Sequence, residues 1–446
     1  MNSQTFLVRA NNHTAQIVSC SIMDILLKNL PVPVVLFYRQ AVARDILIDA
    51  LKQVLNDFPI FAGRLTNNNN NLSIDCNNQG VEVYVTQEDL PLEQLLQELP
   101  TIERSRLVNT INPKKIITDG SPITTIKIAY FSDGGMTIGV CWHHSIGDMQ
   151  TFICMMQAWS KMVSDREYDL PLIVPERDEY LESHLKENQN SHPNIRYLKT
   201  KELLSLLFYK SFGAKNKVNL KIYFSESELA RMKEQISTQA DRKLSKNSAL
   251  CSHVSHLISN LDTYDQKRNL AIAVNYRTRV KLPSNILGNF VSSINVPIDR
   301  ELKPSAIAKN IKESIDNFAE QHLDYFSTKE YIKQNGGMTK SDRFISTTID
   351  PLKRTLLITN WSNFGVYDIV FGDAKPFFFS YFGNSPFPWL SSITEGFNNR
   401  GLIYSVWLPE ELAEKAVQED NLNKMHHYRD REEVIPEDVE KLKWLL

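Results

Sequence analysis

The chain has 446 residues, 42% hydrophobic and 23% charged, with 50 Lys plus Arg against 52 Asp plus Glu for a formal net charge of −2. That length exceeds one ordinary hydrophobic core and the composition suits a globular protein able to bury two. Dispersed basic residues and a pI near 6.6 give no footing for a nucleic-acid or membrane-surface partner, so a small-molecule substrate is expected.

In chain order, the first seven residues show no basic region followed by an apolar run, so no secretory signal is read there. The apolar stretch 25–38 is broken by Lys28, Asn29, Pro31 and Pro33, far short of the ~20 residues a membrane span requires. A cytoplasmic monomer is the expectation. Strand-like runs at 34–38, 81–85, 123–131 and 136–142 alternate with a helix-like run at 41–56, the pattern of an α/β unit. The asparagine run 67–71 reads as a hairpin tip between Leu65 and Leu72. The polar stretch 187–194 has the composition of a linker. Beyond it come a strand at 218–224, a helix from Glu226, further mixed patterns through Val406, Trp407 and Leu408, and a charged C-terminal helix. The expected organisation is a first domain over 1–190, a crossover over 191–217 and a second domain over 218–446.

Five cysteines, Cys20, Cys76, Cys141, Cys154 and Cys251, are widely spaced, with no Cys-x-x-Cys pair and no histidines at zinc spacing. They read as reduced, mostly buried thiols, and no metal site is expected.

Residues 141–149, Cys-Trp-His-His-Ser-Ile-Gly-Asp-Met, concentrate the chemistry. An apolar run from 136 delivers a histidine pair, and Asp148 follows His144 by four positions. Beyond the acid, Phe152, Ile153, Met155, Met156, Trp159 and Val163 recur at helical spacing, so Asp148 sits where a helix starts. A bland alternative stands beside the catalytic one: Asp148 as a simple N-cap, with His143 structural.

Further motifs occur in order around this corner. Ser21 to Leu27, Ser-Ile-Met-Asp-Ile-Leu-Leu, resembles the early Leu-Ser-x-x-Asp segment of the BAHD acyltransferases, and Phe58 to Leu65 resembles their Tyr-Pro-x-Ala-Gly-Arg-Leu. His144 and Asp148 fall on the family's His-x-x-x-Asp. Downstream, Arg277 and Arg279, then Leu287-Gly288-Asn289, are similar to its Arg-x-Arg and Phe-Gly-Asn. Thr359-Asn360-Trp361 with Val366-Tyr367-Asp368 resembles the approach to its Asp-Phe-Gly-Trp-Gly. That last motif itself is eroded to Val370-Phe371-Gly372-Asp373-Ala374-Lys375-Pro376, and Met149 replaces the glycine that follows the family aspartate.

The resemblance implies two α/β domains like chloramphenicol acetyltransferase, with mixed sheets and a channel between them. It implies acyl transfer from acyl-coenzyme A, a co-substrate rather than a tightly bound cofactor, to an alcohol or amine. An imidazole titrating near 6.5 is a free base at neutral pH, which suits His144 as general base. Thr359 and Trp361 are the implied oxyanion donors. Asp148 is expected to pair with Arg277 or Arg279 and hold the histidine loop. Lys246 and Ser248, at a helix start, are the implied coenzyme A contacts, although a capping turn explains the same residues. The aromatic run from Phe377 to Phe382, continued by Phe387 and Trp389, reads as core packing, with an acceptor pocket as its alternative. Two other function classes stay open: a condensation-type enzyme fed by an acyl carrier protein, which the doubled histidine suggests, and a catalytically silent binding protein. No Gly-x-Ser-x-Gly elbow is present, which disfavours nucleophile-based hydrolases.

Overall fold

The architecture is taken from a computed structural model that describes residues 3–68, 71–187, 191–209, 216–263, 267–385 and 387–446. The expected hairpin tip at 67–71 lies partly outside these residues, as does part of the linker at 187–194; the flanking strands Arg64–Asn68 and Asn71–Asp75 do pair.

Two six-stranded mixed sheets carry the fold, and the central strands of the first are buried along nearly their whole length, as their near-continuous apolar runs require. The first runs Ser3–Val8, Val81–Glu88, Thr124–Phe131, Met136–His143, Pro31–Tyr38, Pro376–Tyr381. The second runs Lys217–Phe224, Leu402–Pro409, Leu390–Glu395, Leu356–Asn360, Arg268–Asn275, Val291–Ile298. Each has its own core, and helices Arg44–Asp57 and Met149–Val163 cover the first, while Glu226–Ala240, Lys246–Leu261 and Pro304–Asp316 cover the second. No helix among the described residues is long and apolar enough to cross a membrane.

Three sequence expectations need correction. The span 218–446 does not stay in one unit, because Pro376–Tyr381 leaves it and pairs antiparallel with Pro31–Tyr38 in the first sheet. Phe378 and Phe379 are buried there, with Phe378 stacked 4.2 Å from Phe397, so the aromatic run is core. The crossover 191–217 is not bare linker: Ile195–Tyr197 pairs with Phe344–Ser346, and Thr200–Phe208 is helical. The charged C-terminal helix is instead three short ones, Glu410–Ala416, Glu419–Met425 and Glu437–Glu440, the first and last begun after Pro409 and Pro436.

Gly139 admits a close backbone approach. A Cβ built there would lie 1.9 Å from the Leu107 carbonyl oxygen, so only glycine lets the segment around 104–108 lie flat on the first sheet.

Candidate active site

Strand Met136–His143 ends at the histidine pair because the next residues turn: Ile146 N–H donates to the His143 carbonyl at 2.9 Å and Trp142 Nε1 to the Gly147 carbonyl at 3.0 Å. Trp142 stacks on Phe152 at 4.4 Å, tying the turn to the helix that follows. Asp148 is the N-cap of that helix and accepts from Thr151 N at 3.2 Å. It also forms a bidentate ion pair with Arg277, at 2.7 and 3.0 Å, and accepts from Phe290 N at 3.0 Å. The capping and ion-pair readings are therefore both true of one carboxylate.

Arg277 is buried, with further bonds to the Ile286 and Gly288 carbonyls and its guanidinium 4.6 Å from the Phe290 ring centre. Arg279, offered as an alternative partner, is exposed and donates to the Ile315 carbonyl. A short 3-10 turn at Thr278–Val280 breaks the strand alternation and sends the two arginines apart.

A second buried ion pair holds the same loop from the other side, and sequence reasoning missed half of it. Asp24 lies 2.8 Å from Arg177, which also donates to the Ser145 and Ile146 carbonyls. Asp24 accepts from Asn289 Nδ2 at 2.7 Å, and the same amide donates to the His144 carbonyl at 2.7 Å. Asp24 and Asn289 sat within recognised motifs; Arg177 sits in a charged surface-like run at the head of helix Arg177–His184, and nothing local marks it as buried.

His143 is fully buried, its Nδ1 accepts from Ser145 N at 3.2 Å, and burial followed by the neighbouring His144 pushes its pKa down to about 4. His144 is half-buried, and its Nδ1 is enclosed without a hydrogen-bond partner. Burial lowers its pKa below 6.5, opposed by its own carbonyl, Asp148, Asn289 and Asp24. Burial thus favours the neutral form of the imidazole. With His144 as general base, kcat/KM is expected to be flat at neutral pH and to fall only as pH drops through an apparent pKa below 6.5; an acid limb centred above 7 would speak against that role.

Thr359 and Trp361 come from the second sheet. Strands Arg268–Asn275 and Leu356–Asn360 are parallel, so the end that leads to Arg277 and the end that leads to Trp361 lie side by side. Trp361 packs 5.6 Å from Tyr381 of the first sheet's edge strand. Tyr381 pairs with Val34, which pairs with Val140, near the end where Pro31 pairs with His143. The histidine loop and the Thr359–Trp361 segment therefore converge where the two sheets meet.

Ser248 does not present itself to a donor. It is buried in the first turn of the helix, its N–H donates to the N-cap Ser245 at 2.9 Å and its hydroxyl lies 2.8 Å from that of Ser245, so the cap is Ser245 and not the Lys246–Ser248 turn. Lys246 is paired with Glu226 at the exposed helix start, and its neighbour Asn247 accepts from Asn360 Nδ2 at 2.8 Å, which places that helix start beside the Thr359 segment.

The model of the Transferase family matches residues 1–421. Vinorine synthase of Rauvolfia serpentina is 25% identical over 395 residues, 83% of this chain and 85% of that protein. The crystal structure of vinorine synthase aligns with a TM-score of 0.69 at 20% identity, covering 93% and 96% of the two chains. Shikimate O-hydroxycinnamoyltransferase of Nicotiana tabacum is 25% identical over 379 residues, 80% of this chain and 84% of that one. F. graminearum TRI101 complexed with ethyl coenzyme A shares the fold at a TM-score of 0.74 and 14% identity, covering 92% and 99%. Two mixed sheets meeting over a clamped histidine loop are thus the frame of a two-domain acyltransferase like chloramphenicol acetyltransferase. The chain belongs to the Transferase family, the BAHD acyltransferases. As such it is an acyl-coenzyme-A-dependent acyltransferase of small-molecule acceptors, with the thioester as co-substrate.

Proposed function

We propose that the chain acylates a hydroxyl or amine by direct attack within a ternary complex, with His144 as the general base. What carries this reading is the pair of buried ion pairs, Asp148 with Arg277 and Asp24 with Arg177, that fix the His144 loop against both halves of the molecule. Fixing one base where both substrates meet converts a bimolecular collision into an oriented encounter.

The acceptor O–H or N–H gives its proton to His144 Nε2 as the oxygen or nitrogen attacks the thioester carbonyl carbon. Negative charge then develops on the carbonyl oxygen, for which the Thr359 hydroxyl and Trp361 indole N–H are the donors on hand. Collapse re-forms the carbonyl, breaks the C–S bond and expels coenzyme A thiolate, which takes the proton back from the imidazolium. Lys246, whose ion pair is solvent-exposed and weak, can exchange Glu226 for a donor phosphate. The protein works as a cytoplasmic monomer.

Free acyl-coenzyme A is expected to support turnover, with intersecting initial-rate plots when either substrate is varied and no acylated protein detectable by mass spectrometry. Parallel plots with a trapped acyl-enzyme would overturn direct transfer. Activity seen only with an acylated carrier protein would move the chain to the condensation class.

A further inference from the structure

The second sheet has two unlike faces. Ile222, Tyr404 and Ile393 pair in register, as do Ile358, Ile272 and Ile294; Ile393 pairs with Asn360, two residues from Ile358 and so on the same face, and all six residues are buried under the helices. One position along, Lys221 pairs with Ser405, Ser405 with Ser392, and Ser392 with Thr359. Paired residues project from the same side of a sheet, so these four form a polar row on the opposite face. That face looks toward the first sheet: Lys221 Nζ donates to Ser380 Oγ at 2.7 Å and lies 5.8 Å from the Phe382 ring centre, while Trp361, two residues past Thr359, packs on Tyr381.

At the far end of the row, positive charge accumulates. Arg104, carried in on the segment that Gly139 lets lie flat, sits 5.9 Å from the Trp407 ring centre, and Lys217 sits 5.8 Å from the same ring. Trp407 pairs with Asn219, two residues from Lys221 on the same face. Among the described residues no carboxylate forms an ion pair with Arg104 or Lys221. Burial, then the charge of Arg104, lowers the Lys221 pKa to about 8; burial also lowers those of Arg104 and Lys217. Arg104 and Lys221, half-buried close together and neither paired with a carboxylate, are costly there unless an anion joins them.

We infer that Arg104, Lys217 and Lys221 form a recognition site for an oxyanion, a carboxylate or phosphate, carried by the substrate whose reacting end lies at Thr359. This rests on the proposed reading of His144 and Thr359 as the reacting centre. Three strand spacings separate Thr359 from Lys221, so the anionic group stands on the order of 10 Å from the acyl transfer point. The hydroxyls of Ser392 and Ser405 line the path between them. Trp407 supplies a ring face against which the body of the substrate can lie. A carboxylate on the acceptor and a phosphate of coenzyme A share this chemistry.

The test compares matched substrate pairs in the parent protein, Lys221→Met and Arg104→Met, with Lys221→Arg as the conservative variant. One arm sets hydroxy-carboxylic acids of graded length against their methyl esters as acceptors, with acetyl-coenzyme A. The other sets acetyl-coenzyme A against acetyl-pantetheine, which lacks the phosphates. Losing a charge-assisted contact is expected to reduce one of these kcat/KM ratios by about 10- to 100-fold, with recovery in Lys221→Arg. A fall in the acid-to-ester ratio assigns the site to the acceptor, and a fall in the coenzyme A ratio assigns it to the donor. Ratios unchanged within about twofold in both methionine variants would overturn the inference.

A binding readout separates this idea from the reaction itself. Reductively ¹³C-methylated protein gives a Lys221 resonance, assigned by its loss in Lys221→Met, whose titration is followed with benzoate or inorganic phosphate added. A saturable upward shift of its pKa supports the anion site even if no acyl-coenzyme A is turned over. No shift with either anion, in protein whose melting matches the parent, counts against it.

Discussion

Replacing His144 with alanine is expected to lower kcat by roughly 10²–10⁴-fold while coenzyme A binding, followed by calorimetry, changes little. The imidazole acts only while the acceptor proton moves, so its loss belongs to the transition state rather than to donor affinity. His143→Ala is the informative contrast. That ring is enclosed, its Nδ1 is occupied by Ser145 N–H, and burial holds its pKa near 4, so it has no route to a substrate proton. Its removal should lower the melting temperature and reduce kcat far less. Equal loss at both positions, or full activity without His144, would reject the assignment.

Asp148→Ala should be the most destabilising single change in the site, costing on the order of 3–5 kcal/mol, because it strands the buried charge of Arg277 among carbonyl groups that cannot neutralise it. The same substitution removes the N-cap of helix Met149–Val163 and the acceptor for Phe290 N–H. Arg279→Ala is the control, and its exposed side chain should keep stability within about 0.5 kcal/mol of the parent. Denaturant unfolding of the three proteins decides between them. An Asp148→Ala protein that unfolds like the parent would reduce the ion pair to a surface contact.

The site was legible in the sequence where function is written in short runs. A strand must end for His144 to be presented, a helix must begin at Asp148, and both signals lie within nine residues. Arg277 against Arg279 was not legible, because the choice depends on a 3-10 turn that no local composition announces. The capping turn read at Lys246–Ser248 lies inside the helix, whose cap is Ser245, because the helix begins three residues earlier than its apolar pattern from Ala249 suggested. Arg177 and the strand Pro376–Tyr381 were missed for a common reason. Each acquires its meaning from a partner more than 150 residues away, Asp24 for the first and Pro31–Tyr38 for the second. Periodicity reports which face of an element is apolar and is silent on which element will cover it.

The migration of Pro376–Tyr381 also sets a timetable for the growing chain. Strand Pro31–Tyr38 is made early, and its outer edge stays unpaired until more than 330 further residues have been synthesised. Through that interval an apolar strand edge stands open, the kind of template on which chains pair wrongly with one another. The first half alone, though it holds the histidine loop, is therefore an unfinished sheet, and expressing it by itself should give aggregated protein that a co-expressed second half rescues. Ribosomes that stall before codon 381 would release the same hazard.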